Sequence, residues 1–184
     1  MKKLKVVVVV IVAFIAALIG IFAYYGGFKS VECKIVHAGG ETFVYDEMKG
    51  DYSQSPVIMD KIYHALVNEK IKSTVGCGIY YDNPQKDEKN QLRSEQGCII
   101  AINDSAKIAD LQTRFKVKII PETDYLVAEF PFKGKTSIIL GIMKVYPAIN
   151  KYMNANGLSE KGAVIELYDT PNQKIIYRKE IVKE

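Results

Sequence analysis

Ile79-Tyr80-Tyr81-Asp82-Asn83-Pro84 and Glu166-Leu167-Tyr168-Asp169-Thr170-Pro171 stand 87 residues apart and decide how the chain is organised. Each is an apolar strand that closes on Asp and Pro, residues that end a strand in a turn. Working outward, each element is preceded by a helix with an apolar face. One helix runs from Ser55-Pro56, read as N-cap and first-turn proline, to about Glu69, with Ile58, Ile62, Ala65 and Leu66 on one face. The other runs from about Ser137 to Ala155, with Ile138, Ile142, Val145, Ile149 and Met153 as its stripe. Pro147 is expected to kink or restart it. Lys61-Ile62-Tyr63-His64-Ala65-Leu66 matches Lys144-Val145-Tyr146-Pro147-Ala148-Ile149.

Further out, Val31 to His37 and Thr42 to Met48 read as a hairpin around Gly39-Gly40, and Phe115 to Pro121 and Tyr125 to Pro131 as a second around Glu122-Thr123-Asp124. The order strand-strand-helix-strand-strand therefore occurs twice. Two such halves bury their helices and sheets against each other, which makes the fold class α+β with pseudo-twofold symmetry. The expected division is an anchor over residues 1–28 and one domain over 29–184, with halves at about 29–103 and 115–184 joined by a connector at 104–114 that carries a short helix.

The N-terminus is a different kind of sequence. Val6 to Ala23 is an uncharged apolar run of 18 residues, close to what a bilayer core requires and longer than a typical signal-peptide core. No small-residue cleavage triplet follows it, so it is read as one retained transmembrane helix over about residues 6–25, with Tyr24 and Tyr25 at the interface. Lys2, Lys3 and Lys5 precede the run, which places the N-terminus in the cytoplasm and the body outside. Of 25 basic and 21 acidic side chains, these three account for most of the excess. The body is close to neutral and offers no electrostatic footprint for nucleic acid. No length remains for a separate DNA-binding region, so no nucleic-acid partner is expected.

Cys33, Cys77 and Cys98 form no C-x-x-C, and no His stands at ligand spacing, so neither a metal nor a cofactor is expected. If Tyr81 pairs with Ser94, Cys77 falls opposite Cys98; a disulfide and two small buried hydrophobes are both open readings there. His37 and His64 lack a nucleophilic serine motif and read as surface or capping residues. Gly76-x-Gly78 lacks the third glycine of a dinucleotide loop. Lys86 to Lys89 reads as a solvated loop, and Asn103-Asp104-Ser105 matches a glycosylation sequon.

The duplicated order, Tyr80-Tyr81-Asp82-Asn83-Pro84, Phe115-Lys116-Val117, Ala128-Glu129-Phe130-Pro131, Tyr146-Pro147-Ala148-Ile149 and Glu166-Leu167-Tyr168 together resemble the GyrI-like small-molecule-binding domain. They look most like its branch in the testis-expressed ER-phagy receptor, which also carries an N-terminal anchor but keeps its domain cytosolic. The resemblance implies a ligand groove between the halves, lined by aromatics around a buried acid, with Glu166 at the family's Glu-x-Tyr position. Glu166 and Tyr168, two apart on a strand, share a face. A carboxylate desolvated among phenols would attract an organic cation or exchange a proton. Its counterpart in the first half is read as Ile79. Tyr45, Tyr63, Tyr80, Tyr81, Tyr146 and Tyr168 are the tyrosines expected to face the groove, each offering a flat ring and a polar tip. The favoured function is a membrane-tethered module that binds a small planar or cationic ligand, or acts as an interaction adaptor. The alternative is a hydrolase that opens strained electrophilic molecules with the Glu166–Tyr168 pair.

Overall fold

The computed structural model describes residues 2–102 and 104–182; Asn103 of the sequon lies outside them. Its elements in chain order are α1 (Lys2–Tyr24), β1 (Cys33–Ala38), β2 (Thr42–Lys49), α2 (Ser55–Asn68), β3 (Val75–Tyr80), β4 (Arg93–Ile100), α3 (Ser105–Gln112), β5 (Lys116–Ile119), β6 (Thr123–Pro131), α4 (Lys135–Ala155), β7 (Val164–Asp169) and β8 (Lys174–Glu180). All eight strands join one antiparallel sheet in the order β1-β6-β8-β7-β3-β4-β2-β5. This α+β architecture with its apolar N-terminal helix agrees with the fold class read from the sequence.

The strand pairing differs from the expected hairpins. β1 pairs with β6, and β5 with β2, so the segments around Gly39-Gly40 and 120–122 are crossovers and each half lends its first strand to the other. The crossovers meet: the Gly40 N–H donates to the Ile120 carbonyl (2.8 Å) and the Ile120 N–H to the Glu41 carbonyl (2.9 Å). The reason is burial. Curling the sheet brings its two ends together, so that Phe43, Cys77, Ile79, Ile120, Tyr125, Ile165 and Leu167 form a core on the face away from the helices. Arg178 closes this side with two hydrogen bonds to the Glu41 carboxylate, at 2.6 and 3.1 Å.

The other face carries α2 and α4. Ile62 and Leu66 of α2 pack on Val44, Cys98 and Ile100, and Val145, Ile149 and Met153 of α4 pack on Leu126, Ala128, Ile175 and Tyr177. α4 runs through Pro147 without a break, beginning at Lys135. Ser55 is not the cap of α2. Gln54 holds that position without a side-chain bond, because a 3-10 turn over Tyr52–Gln54, capped by Asp51, precedes the helix. α1 has none of its residues buried and meets the domain only at its end, where Lys144 Nζ donates to the Gly27 carbonyl (2.6 Å).

The register of β3 with β4 is one residue away from the expected one. Gly76 faces Cys98 and Cys77 faces Gly97. Because side chains alternate across a strand, the slip sends Cys77 into the core away from the helices and Cys98 into the core beneath α2. All three cysteines are free, which leaves the small-hydrophobe reading; burial pushes the Cys98 thiol up to about 11.

Candidate ligand-binding site

β3 and β7 lie side by side at the middle of the sheet, where Gly78 faces Glu166 and Gly76 faces Tyr168. The strand neighbour of Glu166 across this junction is thus Gly78, while Ile79, its counterpart in the sequence repeat, points into the opposite core. Continuing the row, Gln96 of β4 flanks Gly78 and Tyr177 of β8 flanks Glu166. Gln96, Gly78, Glu166 and Tyr177 therefore share the helix face. Above them, α2 and α4 form the walls of a cleft of about 1240 Å³, lined by Ser55, Met59 and Tyr63 from one helix and by Ile138, Ile142 and Tyr146 from the other.

Glu166 is 2% exposed. The Tyr146 hydroxyl donates to its Oε1 at 2.7 Å and the Tyr168 hydroxyl to its Oε2 at 2.5 Å. Burial raises its pKa above the ordinary carboxylate value, and the bonds from Tyr168 and Tyr146 only partly oppose the rise. The surrounding phenols, Tyr80, Tyr146, Tyr168 and Tyr177, are themselves pushed upward, first by burial and then by the Glu166 charge. Tyr146 and Tyr168 serve as donors, and none of the four ionises near neutrality. Lys179 lines the same cleft but donates to the carbonyls of Glu160 (2.9 Å) and Gly162 (2.5 Å). Glu166 consequently has no cationic partner among the described residues.

Of the tyrosines singled out in the sequence, Tyr146 and Tyr168 touch Glu166, and Tyr80, Tyr63 and Tyr81 line the cleft. Tyr45 does not. It stands one residue from Val44, which faces α2, so it points the other way and stacks on Phe43 at 5.2 Å between centroids. Sequence reasoning missed Ser55, Gln96 and Tyr177 as parts of this face. Tyr177 was reachable: a tight turn at Thr170–Gln173 fixes β7 against β8 and puts position 177 opposite 166. His37 pairs with Asp124 at the surface, and among the described residues no His, Cys, Asp and Glu cluster could hold a metal ion.

An antiparallel sheet with two helices on one face, and a largely apolar cleft between them floored by a buried carboxylate, defines a small-molecule-binding domain. A family model described as the GyrI-like small molecule binding domain matches residues 32–180, and the chain belongs to that family. Similar solved structures include the EcmrR C-terminal domain, 15% identical over 84% of this chain and 98% of that one, with a TM-score of 0.56. SAV2435 bound to tetraphenylphosphonium is 14% identical over 83% and 94%, with a TM-score of 0.54. A hydrolase encoded by lin2189 from Listeria innocua is 11% identical over 88% and 98%, with a TM-score of 0.52. No curated protein matches the chain, and nothing in these likenesses supports the ER-phagy receptor branch.

Proposed function

We propose that the chain is a membrane-anchored binding module for a lipophilic organic cation, seated in the cleft against Glu166 and the rings of Tyr146, Tyr168 and Tyr80. The observation that carries this reading is the buried carboxylate with two phenol donors and no cationic partner. An isolated buried charge is costly, and a bulky cation cancels that cost while its apolar surface fills the cleft. Ring faces add about 0.5–2 kcal/mol for each well-placed aromatic. The neighbour SAV2435 was solved with tetraphenylphosphonium, a ligand of this kind, which makes it the natural probe.

The pH dependence follows from the Glu166 shift. With the folded pKa above the unfolded one, the folded chain holds the proton more tightly. Stability from this group therefore falls as pH rises through the raised pKa, and a bound cation restores it. Tetraphenylphosphonium affinity should be full above that pKa and decline on acidification, starting above the usual carboxylate range of about 4.3. Isothermal titration of the detergent-solubilised chain from pH 8 to pH 4.5 reads this; a flat profile would remove Glu166 from the site.

The membrane reading rests on α1, a helix long and apolar enough to cross a bilayer. With the lysines before it held in the cytoplasm, the domain lies outside. Protease added to right-side-out vesicles should digest the domain, and full protection would reverse the orientation. The hydrolase alternative draws on the Listeria innocua neighbour and on the Tyr168–Glu166 contact. It requires turnover of an electrophilic substrate that is lost, with binding retained, in Glu166→Gln.

A further inference from the structure

The cleft has a second polar feature beside Glu166. Ser55, in the first turn of α2, lines the cleft and is 4% exposed, yet its hydroxyl has no hydrogen-bond partner among the described residues. Gln96 is completely buried, and neither its amide nitrogen nor its oxygen is partnered among the described residues. Both groups stand around the Tyr80 phenol, which also adjoins Tyr168. The arrangement depends on Gly78. A side chain there would meet Gln96 Oε1 at 2.6 Å and the Tyr80 hydroxyl at 2.9 Å, so its absence lets the amide and the ring fold over the strand.

A buried polar atom without a partner is costly to the folded state. Such a cost is reasonable where the atom serves a ligand: Ser55 and Tyr80 line one flank of the cleft, and Gln96, outside its lining, adjoins Tyr80 on the same sheet face as Glu166. Gln96 and Glu166 lie on either side of β3, two strand spacings or about 10 Å apart. Their chemistries differ. Glu166 offers charge, while Ser55 and Tyr80 offer hydroxyls that donate and accept, with the Gln96 amide adjoining Tyr80.

We propose that Ser55, Tyr80 and Gln96 form an uncharged second pole of the cleft, so that the ligand is an organic cation bearing a neutral hydrogen-bonding group, such as an amide or hydroxyl. This rests on the cation reading and names the ligand class within it. Ser55 and Tyr80 touch the ligand, and Gln96 is a positioning residue. A site built to hydrogen-bond such a group discriminates strongly against an analogue that lacks it, because its own polar atoms are then left unpaired.

The test compares two probes on the full chain in detergent: tetraphenylphosphonium and its analogue carrying one para-carboxamide. The wild-type chain should bind the carboxamide analogue about tenfold more tightly. Ser55→Ala and Gln96→Leu should each bring the two probes within about twofold of one another. A role in packing alone would not move this ratio. Equal wild-type affinities, with tetraphenylphosphonium binding intact, would overturn the second pole and leave the cation site standing. A preference that survives both substitutions would also overturn it. Failure of both probes to bind would overturn the cation reading and this inference with it.

Discussion

Glu166→Gln is expected to weaken tetraphenylphosphonium binding by about 100-fold or more, which at about 1.4 kcal/mol per tenfold is ~2.8 kcal/mol. The side chain keeps its shape and loses the charge that the cleft leaves without a cationic partner. Folding should survive. Removing a buried carboxylate whose pKa is raised by burial removes a cost that the folded state bears at neutral pH, so the melting temperature should hold or rise. Tyr168→Phe and Tyr146→Phe keep the rings and remove one donor each, and should weaken binding only several-fold. Calorimetric titration with a thermal melt on each variant separates these effects. Undiminished affinity in Glu166→Gln would transfer the recognition to the ring faces alone.

The second large effect concerns the crossovers that make two halves one sheet. Gly39 has φ of +120°, and a Cβ there would stand 2.0 Å from the Pro121 carbonyl oxygen and 2.7 Å from the Glu122 Cα. Those atoms are backbone of the opposite crossover, held by the Gly40–Ile120 hydrogen bond, and cannot swing aside. Gly39→Ala therefore combines a conformation unfavourable to L side chains with a backbone clash, and should cost about 3 kcal/mol or more. In a chain of this size that is roughly a 10 °C loss in melting temperature. Gly157 also has positive φ, +63°, but nothing lies near its missing side chain, so Gly157→Ala should cost only about 1 kcal/mol. Equal melting temperatures for the two variants would mean that the crossovers do not meet.

What the sequence revealed, and what it hid, divides along the range of the interactions. The helices were legible because their apolar stripes repeat every three or four residues, and each stripe carries its own evidence of a buried face. Glu166 and Tyr168 were placed on one face by the same local logic. Strand partners are a different matter. Gly39-Gly40 has the chemistry of a hairpin turn, yet β1 and β2 separate because curling the sheet buries Phe43 and Tyr125 in a shared core. The β3–β4 register was lost by one residue because the connecting loop contains its own turns, with Asn83 bonded to Asp87 and Asp82 holding Arg93. That slip put Cys77 against Cys98. Tyr45 illustrates the same limit: the face of a strand residue is known only once its neighbour's partner is known. Ser55 looked like a helix cap because Ser-Pro is a common helix start, and only the preceding turn, capped by Asp51, frees it to face the cleft.

The central claim, that a cation is held in the cleft by Glu166, is tested most directly by an experimental structure of the full chain saturated with tetraphenylphosphonium. The phosphonium centre should lie in the cleft between α2 and α4, with its phenyl groups within about 6 Å of the Tyr146 and Tyr168 rings and no other cation paired with the Glu166 carboxylate. A phosphonium bound elsewhere on the domain, or an empty cleft at saturating concentration, would contradict it.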